Sequence, residues 1–236
     1  MKTAAVIVSA GKGHRFPGER KKQFLSLAGK PILSRTLDQF EACSIIDFIH
    51  LVVGQEDMDY TLKEIVEPYG YRKVSQIVPG GKLRQDSVKK GIDSLPRDVS
   101  IVTIHDGVRP LVTQGMIEGS IQAARQFKAA VVAVPVKETI KVVGPDQTVL
   151  KTLERESLWQ VQTPQTFQLD VIREAIHKAT EDGFIGTDDA SLVERIGIKV
   201  HIVPGSYSNI KITTPEDLLL AHSLMGTEKT TWRETP

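Results

Sequence analysis

The stretch AAVIVSAGKGHRFPGERKKQ, residues 4–23, decides the fold. Its first seven residues form a continuous apolar or small run, which is typical of a strand buried on both faces. Gly11 and Gly13 follow directly and let a ligand approach the backbone amides, as phosphate-binding loops require. The arrangement predicts an α/β protein whose first strand ends at an anion-binding loop.

Similar strand-like runs recur along the chain and alternate with segments of helical spacing. The strand-like runs are FIHLVVG (48–54), VSQIVPG (74–80), IVTIHD (101–106), AAVVAVPV (129–136) and IKVHIVPG (198–205). The helical segments are ILSRTLDQFEA (32–42), LRQDSVKKGIDSL (83–95), IEGSIQAARQF (117–127), LDVIREAIHKATEDG (169–183) and TPEDLLLAHSLM (214–225). This alternation predicts an open, mostly parallel sheet flanked by helices. Ligands of such sheets bind beyond the carboxyl ends of the strands, so we expect the site in the loops after Ala10, Gly80, Asp106 and Val136.

Length and composition limit the classes of protein that the chain can belong to. Its 236 residues suffice for one large domain or two small ones, at about 150 residues per domain. The 30 Lys and Arg nearly balance 29 Asp and Glu, so we expect no nucleic-acid partner. The longest apolar run, 129–136, is far shorter than the roughly 18 residues of a membrane span. One cysteine, Cys43, and no signal-peptide pattern predict a cytoplasmic protein without a membrane partner.

Cationic and histidine side chains crowd the loop after the first strand. Six of them fall within eleven positions: Lys12, His14, Arg15, Arg20, Lys21 and Lys22. The loop is not GxGxxG, since Phe16 takes the third glycine's place, and no Walker A GK[ST] follows. A dinucleotide-dependent oxidoreductase also needs an acidic residue about twenty positions on, where Lys30 and Pro31 stand. The cation density favours a polyanion such as a triphosphate, although a solvated basic loop has the same composition.

Two further motifs follow strand-like runs. GGKLRQDSV (80–88) begins with two glycines that can lie flat against a base and ends near Ser87, which can offer a hydroxyl; a capped turn is the alternative. HDGVRP (105–110) offers Asp106 to a metal or a ribose hydroxyl and Arg109 to a phosphate; a mutual ion pair is the alternative. The six histidines lack metal-ligand spacing and no GxSxG elbow is present, which disfavours a zinc site and a hydrolase.

Residues 138–154, ETIKVVGPDQTVLKTLE, interrupt the alternation. Two alternating runs around the turn GPDQ predict a β-hairpin. Because an isolated two-stranded ribbon is marginally stable in water, we expect this arm to pack on another surface. The same arm of a second subunit and the hairpin's own domain are both open as that surface.

Taken together, these motifs resemble those of a known family. The resemblance lies in SAGKGHRF with KKQ and LAGKPIL, GGKLRQDSV, HDGVRP, VPVKETIK, LWQVQTPQTF, GTDDASLVE and NIKITTPEDL, which span about residues 3–222. The chain is similar to the 2-C-methyl-D-erythritol 4-phosphate cytidylyltransferases of the non-mevalonate isoprenoid pathway. This implies a single Rossmann-like nucleotidyltransferase domain over 1–236, whose protruding arm at about 137–156 joins a homodimer. It also implies transfer of CMP from CTP to the polyol phosphate with release of pyrophosphate, and Mg²⁺ as cofactor.

The resemblance further implies roles for individual residues. The triphosphate of CTP would be lined by Ala10, Gly11, Gly13, Arg15 and Lys22. The cytosine would be selected by Gly80, Gly81 and Ser87, and Asp106 would lie near the ribose, the metal and the incoming diol. The polyol phosphate would be held by Arg109, Thr163 and Lys211, and by Thr139 and Arg155 from the neighbouring subunit's arm. The catalytic set would be Arg15, Lys22, Thr139, Arg155 and Lys211.

Three positions depart from the commonest pattern of the family. Gly107 and Val108 stand where an alanine pair is more frequent, and Glu138 stands where aspartate usually precedes the threonine. These positions lie at the polyol end of the implied site, where ribitol 5-phosphate cytidylyltransferases show similar variation. Ribitol 5-phosphate is therefore the alternative substrate. A nucleotide-sensing module is the non-enzymatic alternative, and it would bind CTP without turnover.

Overall fold

The computed structural model describes residues 2–11 and 21–226, and eleven strands lie within them. In chain order they are β1 Lys2–Ser9, β2 Ser26–Leu27, β3 Lys30–Pro31, β4 Phe48–Val53, β5 Val74–Pro79, β6 Val99–Asp106, β7 Ala129–Pro135, β8 Lys141–Val143, β9 Val149–Thr152, β10 Trp159–Gln168 and β11 His201–Pro204. Seven of them form one sheet in the order β11-β7-β10-β6-β1-β4-β5. Its pairs are parallel except where β10 runs against β6 and β7. The expected mostly parallel sheet is confirmed.

Helices cover both faces of this sheet. They are α1 Ile32–Ala42, α2 Met58–Tyr60, α3 Glu67–Tyr69, α4 Arg84–Asp93, α5 Gln114–Phe127, α6 Leu169–Glu181, α7 Asp189–Arg195 and α8 Pro215–Gly226. One buried cluster joins the sheet to α4, α6 and α7, and a second joins the opposite face to α1 and α5. Because both faces are buried, the central strands carry continuous apolar runs, and Ala4, Ala5, Val6 and Ile7 of β1 have no exposed surface.

Several elements were not predicted from the sequence, among them the short strands β2 and β3. Strand β10 overlaps LWQVQTPQTF, which is rich in glutamine and threonine and shows no apolar run. Its residues 162–167 are buried, and polar side chains there bond to neighbouring elements, as Thr166 does to Thr103 at 2.9 Å. The helical stretch formed by α2, a π-helical segment at Thr61–Val66 and α3 was also missed, as was the short α7.

The predicted hairpin is confirmed as β8 and β9, which pair only with each other within the described residues. Its apolar side chains are exposed in the single chain, Val149 by 60% and Leu150 by 66%. No helix within residues 2–11 and 21–226 combines the length and the apolar character needed to cross a bilayer.

Candidate active site

A cleft of about 940 Å³ opens at the carboxyl ends of β1, β5 and β6. Because these strands run in the same direction, the loops that follow them meet at one edge of the sheet. The residues that line the cleft are Val8, Ser9, Ala10, Gly11, Lys22, Gln23, Gly80, Gly81, Lys82, Leu83, Arg84, Ser87, Lys90, Asp106, Val108 and Lys211. Three of the four loops that we expected at the site therefore contribute to it, and the loop after Val136 does not.

The glycine pair after β5 forms one wall of the cleft. A Cβ on Gly80 would lie 2.3 Å from the Cβ of Ala10, and a Cβ on Gly81 would lie 2.2 Å from that of Asp86. The Gly81 N–H donates to Ser87 Oγ at 3.0 Å, and this buried hydroxyl donates to the Leu83 carbonyl at 3.1 Å. A side chain is thus excluded at both positions: Gly80 packs closely against Ala10 of the loop after β1, and Gly81 packs against Asp86 of α4.

Asp106 ends β6 at the floor of the cleft, surrounded by cations. Lys211 Nζ lies 2.9 Å from its Oδ2, Arg84 Nε lies 3.2 Å from its Oδ1, and Arg109 Nε lies 3.4 Å from Oδ2. Burial by itself would raise the pKa of Asp106, but the three positive charges outweigh burial and hold this pKa well below its usual range. The ion pair between Asp106 and Arg109, one alternative that the sequence left open, is present, but it belongs to a larger cluster.

Arg84 is a member of this cluster that the sequence analysis did not select. It begins α4, and its guanidinium also donates to Asp189 Oδ2 at 2.8 Å. Burial alone would lower the pKa of Arg84, yet the charges of Asp189 and Asp106 raise it above its usual value. The signal in the sequence was an arginine three residues after the glycine pair in GGKLRQDSV.

Beneath the cleft, His105 and Thr163 hold the end of β6 in place. The Asp106 N–H donates to Thr163 Oγ1 at 3.2 Å, and this hydroxyl lies 2.9 Å from His105 Nδ1. His105 Nε2 lies 3.1 Å from the Arg109 carbonyl, which can only accept, so Nε2 carries the ring proton and Nδ1 accepts from Thr163. Burial lowers the pKa of His105 to about 3. Thr163 is buried below the cleft and is not among its lining residues.

The basic loop divides between the cleft and a neighbouring surface. Lys22 lines the cleft, and Gln23 beside it donates to the Ser9 carbonyl at 3.0 Å. Lys21 instead pairs with Asp57 at 2.6 Å and with Glu56. The expectations for Gly13 and Arg15 lie outside the described residues, as do those for Lys12, His14 and Arg20.

The arm residues stand apart from the cleft of their own chain. Thr139 and Arg155 are exposed and do not line it, and an Arg155 N–H donates to the Lys137 carbonyl at 3.1 Å. Of the departures from the family pattern, Gly107 has a steric reason, because a Cβ there would lie 2.9 Å from the Cβ and Oγ of Ser9. Val108 lines the cleft, and Glu138 is exposed at the start of the arm.

The cleft suits a metal that arrives with a phosphate ligand. Among residues 2–11 and 21–226, no three His, Cys, Asp or Glu side chains form a cluster that could hold an ion. Asp106 is the one carboxylate among the lining residues. Mg²⁺ in nucleotide sites commonly takes one or two carboxylates and completes its shell with phosphate oxygens and water. Asp106 would hold a phosphate-borne Mg²⁺ only once a cation leaves its Oδ2, because Lys211, Arg84 and Arg109 contact this carboxylate.

Comparison with known proteins gives consistent matches over nearly the whole chain. The family model described as 2-C-methyl-D-erythritol 4-phosphate cytidylyltransferase matches residues 3–227. Proteins of that name from Alkaliphilus oremlandii and Pelotomaculum thermopropionicum are 46% and 49% identical to this chain over 228 and 224 residues. These alignments cover 97% and 95% of this chain, and 97% and 94% of the relatives. The crystal structure of 4-diphosphocytidyl-2C-methyl-D-erythritol synthase from Anaerococcus prevotii has a TM-score of 0.85 at 32% identity, covering 95% of this chain and 98% of that one.

Proposed function

The chain belongs to the 2-C-methyl-D-erythritol 4-phosphate cytidylyltransferase family, and we propose that its cleft transfers CMP from CTP to that polyol phosphate and releases pyrophosphate. The observation that carries this assignment is the charge of the cleft. Within the described residues, five cationic side chains line it, Lys22, Lys82, Arg84, Lys90 and Lys211, against the single carboxylate of Asp106. Such an excess of positive charge suits two anionic substrates that must approach each other.

CTP binds, in this proposal, between the loop after β1 and the loop after β5. Gly80, Gly81 and Ser87 line this part of the cleft, and polar backbone groups of the loop can read the cytosine edge there. Ala10, Gly11 and Lys22 line the neighbouring wall and would contact the triphosphate. Arg15 and Gly13 are proposed to complete that wall.

The reaction needs no general base from the protein. A phosphate monoester has its second pKa near 6, so at neutral pH the polyol phosphate already carries a nucleophilic oxygen. That oxygen attacks the α-phosphorus of CTP, the bond to the β-phosphate oxygen breaks, and pyrophosphate leaves with the electron pair. The nearby histidine is consistent with this, because His105 is buried, neutral and bonded through both ring nitrogens.

The protein's part is to bring two anions together and to stabilise the charge that develops between them. Lys22 stands at the triphosphate wall, while Lys211 lines the cleft, contacts Asp106 and can exchange that carboxylate for a substrate phosphate. Arg109 lies behind Asp106 and adds its positive charge to the site. Mg²⁺ held by Asp106 and the phosphates would neutralise charge on the triphosphate.

A second subunit is proposed to complete the polyol phosphate site. The arm projects exposed apolar side chains at Val142, Val143, Val149 and Leu150, which a monomer would leave in water. Thr139 and Arg155 lie on this arm, outside the cleft of their own chain. A symmetric homodimer would bury the apolar residues and bring both polar ones to the partner's cleft.

The assignment is tested by pyrophosphate release with CTP and Mg²⁺. We expect release to depend on an added polyol phosphate and to be at least tenfold slower with ribitol 5-phosphate than with 2-C-methyl-D-erythritol 4-phosphate at matched concentration. The reason is that relatives 46% and 49% identical to this chain are named for the methylerythritol phosphate substrate. Omission of each component serves as the control. Faster release with ribitol 5-phosphate would contradict the proposed substrate and identify ribitol 5-phosphate in its place. Binding of CTP without release of pyrophosphate would favour a nucleotide sensor.

A further inference from the structure

Asp189 is a buried carboxylate that the steps above do not use. It begins α7 and has only 1% of its surface exposed. Its Oδ2 accepts the 2.8 Å hydrogen bond from the Arg84 guanidinium, whose Nε contacts Asp106 Oδ1 at 3.2 Å. A chain of charged contacts therefore runs from Asp189 through Arg84 to the carboxylate at the floor of the cleft.

The polypeptide around Asp189 is fixed to the sheet. Gln165 of β10 accepts from the N–H groups of Asp189 and Ala190 at 3.1 and 3.0 Å and donates to Asp188 Oδ2 at 2.9 Å. The other oxygen of Asp188 accepts from the Ser191 N–H at 2.9 Å and so caps α7. The two neighbouring aspartates thus have separate tasks, and only Asp189 faces Arg84.

Contacts other than this ion pair also join α4 to the segment before α7. Gln85, the next residue of α4, donates to the Phe184 carbonyl at 3.1 Å and accepts from the Gly186 N–H at 3.0 Å. A buried ion pair is in general weak evidence for stability, because desolvation offsets much of the attraction. The pair is therefore better explained by what it does to Arg84.

Arg84 differs from the other two cations that contact Asp106. Lys211 and Arg109 both contact Oδ2; Lys211 lines the cleft and can turn to a phosphate, whereas Arg109 lies outside the lining and also donates to the Asn209 carbonyl at 2.8 Å. Within the described residues, Arg84 alone of the three is held by a second carboxylate. Its contact with Oδ1 is therefore the one best able to persist once anionic substrates fill the cleft.

We propose that Asp189 is a positioning residue for cytidylyl transfer, which acts by holding the Arg84 guanidinium against Asp106. Arginine suits this bridge because its rigid planar fork reaches Asp106 Oδ1 through Nε and Asp189 Oδ2 through a terminal nitrogen, two donor positions that a single lysine nitrogen cannot occupy together. The inference rests on the function proposed above, because the orientation of Asp106 affects turnover only if the cleft carries out that reaction.

The test is a double-mutant cycle on the full-length protein with kcat and KM measured separately. We expect Asp189→Ala to lower kcat by about ten- to a hundredfold, as misplacement of a reacting group does, while KM for CTP changes less than about threefold. In an Arg84→Ala background the same change should have almost no further effect, because Asp189 then has nothing to hold. Asp189→Asn retains an acceptor oxygen and should recover most of the lost kcat. Arg195→Ala, on the same helix and paired with exposed Asp182, is the control.

Several results would overturn the proposal. These are an unchanged kcat in folded Asp189→Ala, losses that multiply in the double variant, a raised KM for CTP with unchanged kcat, or full activity in Arg84→Lys. If Asp189→Ala does not fold, the comparison of Arg84→Lys with Arg84→Ala decides, and equal losses in both support the bridge. Lys22→Ala is assayed in parallel, because normal turnover there would contradict the proposed function whatever the cycle shows.

Discussion

Lys21 and Lys22 are adjacent in the sequence and have different surroundings. Lys22 lines the cleft, whereas Lys21 is paired with Asp57 and Glu56 beside it. Burial alone would lower the pKa of Lys21, but the two carboxylates outweigh burial and raise it, so this lysine remains a cation at the edge of the loop. The charge count of the loop included both lysines, and the family resemblance selected Lys22 alone; the side-chain contacts of Lys21 and Lys22 agree with that selection.

We expect Lys22→Ala to lose at least about 2 to 3 kcal/mol of transition-state stabilisation, on the scale of one preorganised electrostatic contact. The measurement is kcat/KM for pyrophosphate release at saturating Mg²⁺. Lys21→Ala is the matched control and should lose several-fold less, because its charge is directed to Glu56 and Asp57. Equal losses in the two variants would mean that loop order, and not the charge of Lys22, sets the rate.

His105 gives the folded protein a specific sensitivity to acid. Its folded pKa of about 3 lies far below the ordinary histidine value of about 6.5, so between these values the unfolded chain binds a proton that the folded chain does not. Stability is therefore lost as the pH falls through this window. Protonation would also turn Nδ1 into a donor that faces the Thr163 hydroxyl, which now donates to it.

We expect the free energy of unfolding to fall by roughly 2 to 3 kcal/mol as the pH is lowered from 6.5 to 4.5, because His105 takes up a proton in the unfolded chain only. Urea unfolding of the wild type and of His105→Asn at both pH values measures this contribution. The variant should show a smaller difference between the two pH values, even if it is less stable throughout. His177→Asn, which removes an exposed histidine, is the control, and the change caused by His105→Asn should exceed the change caused by His177→Asn.

At the scale of elements, the arm and β10 illustrate two kinds of information in the sequence. The alternation and the turn of the arm are local, so the hairpin was predictable from residues 138–154. Strand β10 was not predictable in this way, because its central polar side chains are buried through bonds to residues distant in the sequence. Gln165 illustrates this, since it bonds to Asp188 and to the backbone of Asp189.

We expect Leu150→Asp, at the most exposed apolar position of the arm, to convert the proposed dimer into monomer and to lower turnover by at least about tenfold. The physical reason is that a buried unpaired carboxylate opposes association, and a monomer lacks the partner's Thr139 and Arg155. Light scattering and pyrophosphate release measure the two effects. Leu62→Asp, on the π-helical segment and also exposed, is the control. A fully active monomer would remove the arm from the catalytic site.

At the scale of the whole molecule, the charge of the cleft is local. The chain is nearly neutral, with a formal net charge of +1, yet five cations and one carboxylate line the cleft. They come from segments as distant as Lys22, Arg84 and Lys211. The net charge of the chain therefore does not reveal the local charge of the cleft, which arises because parallel strands bring their loops together at one edge of the sheet.

The sequence by itself determined the class of fold, five of the helices, the hairpin and the glycine loops, because each depends on short-range periodicity or on the lack of a side chain. Its motifs also marked Asp106, Arg109, Lys22 and Lys211 as candidates. The tertiary structure alone decided that Arg84 bridges Asp106 and Asp189, that Lys21 turns away, and that Thr163 lies beneath the floor of the cleft. These facts depend on contacts between residues as many as 105 positions apart, and no local pattern encodes such contacts.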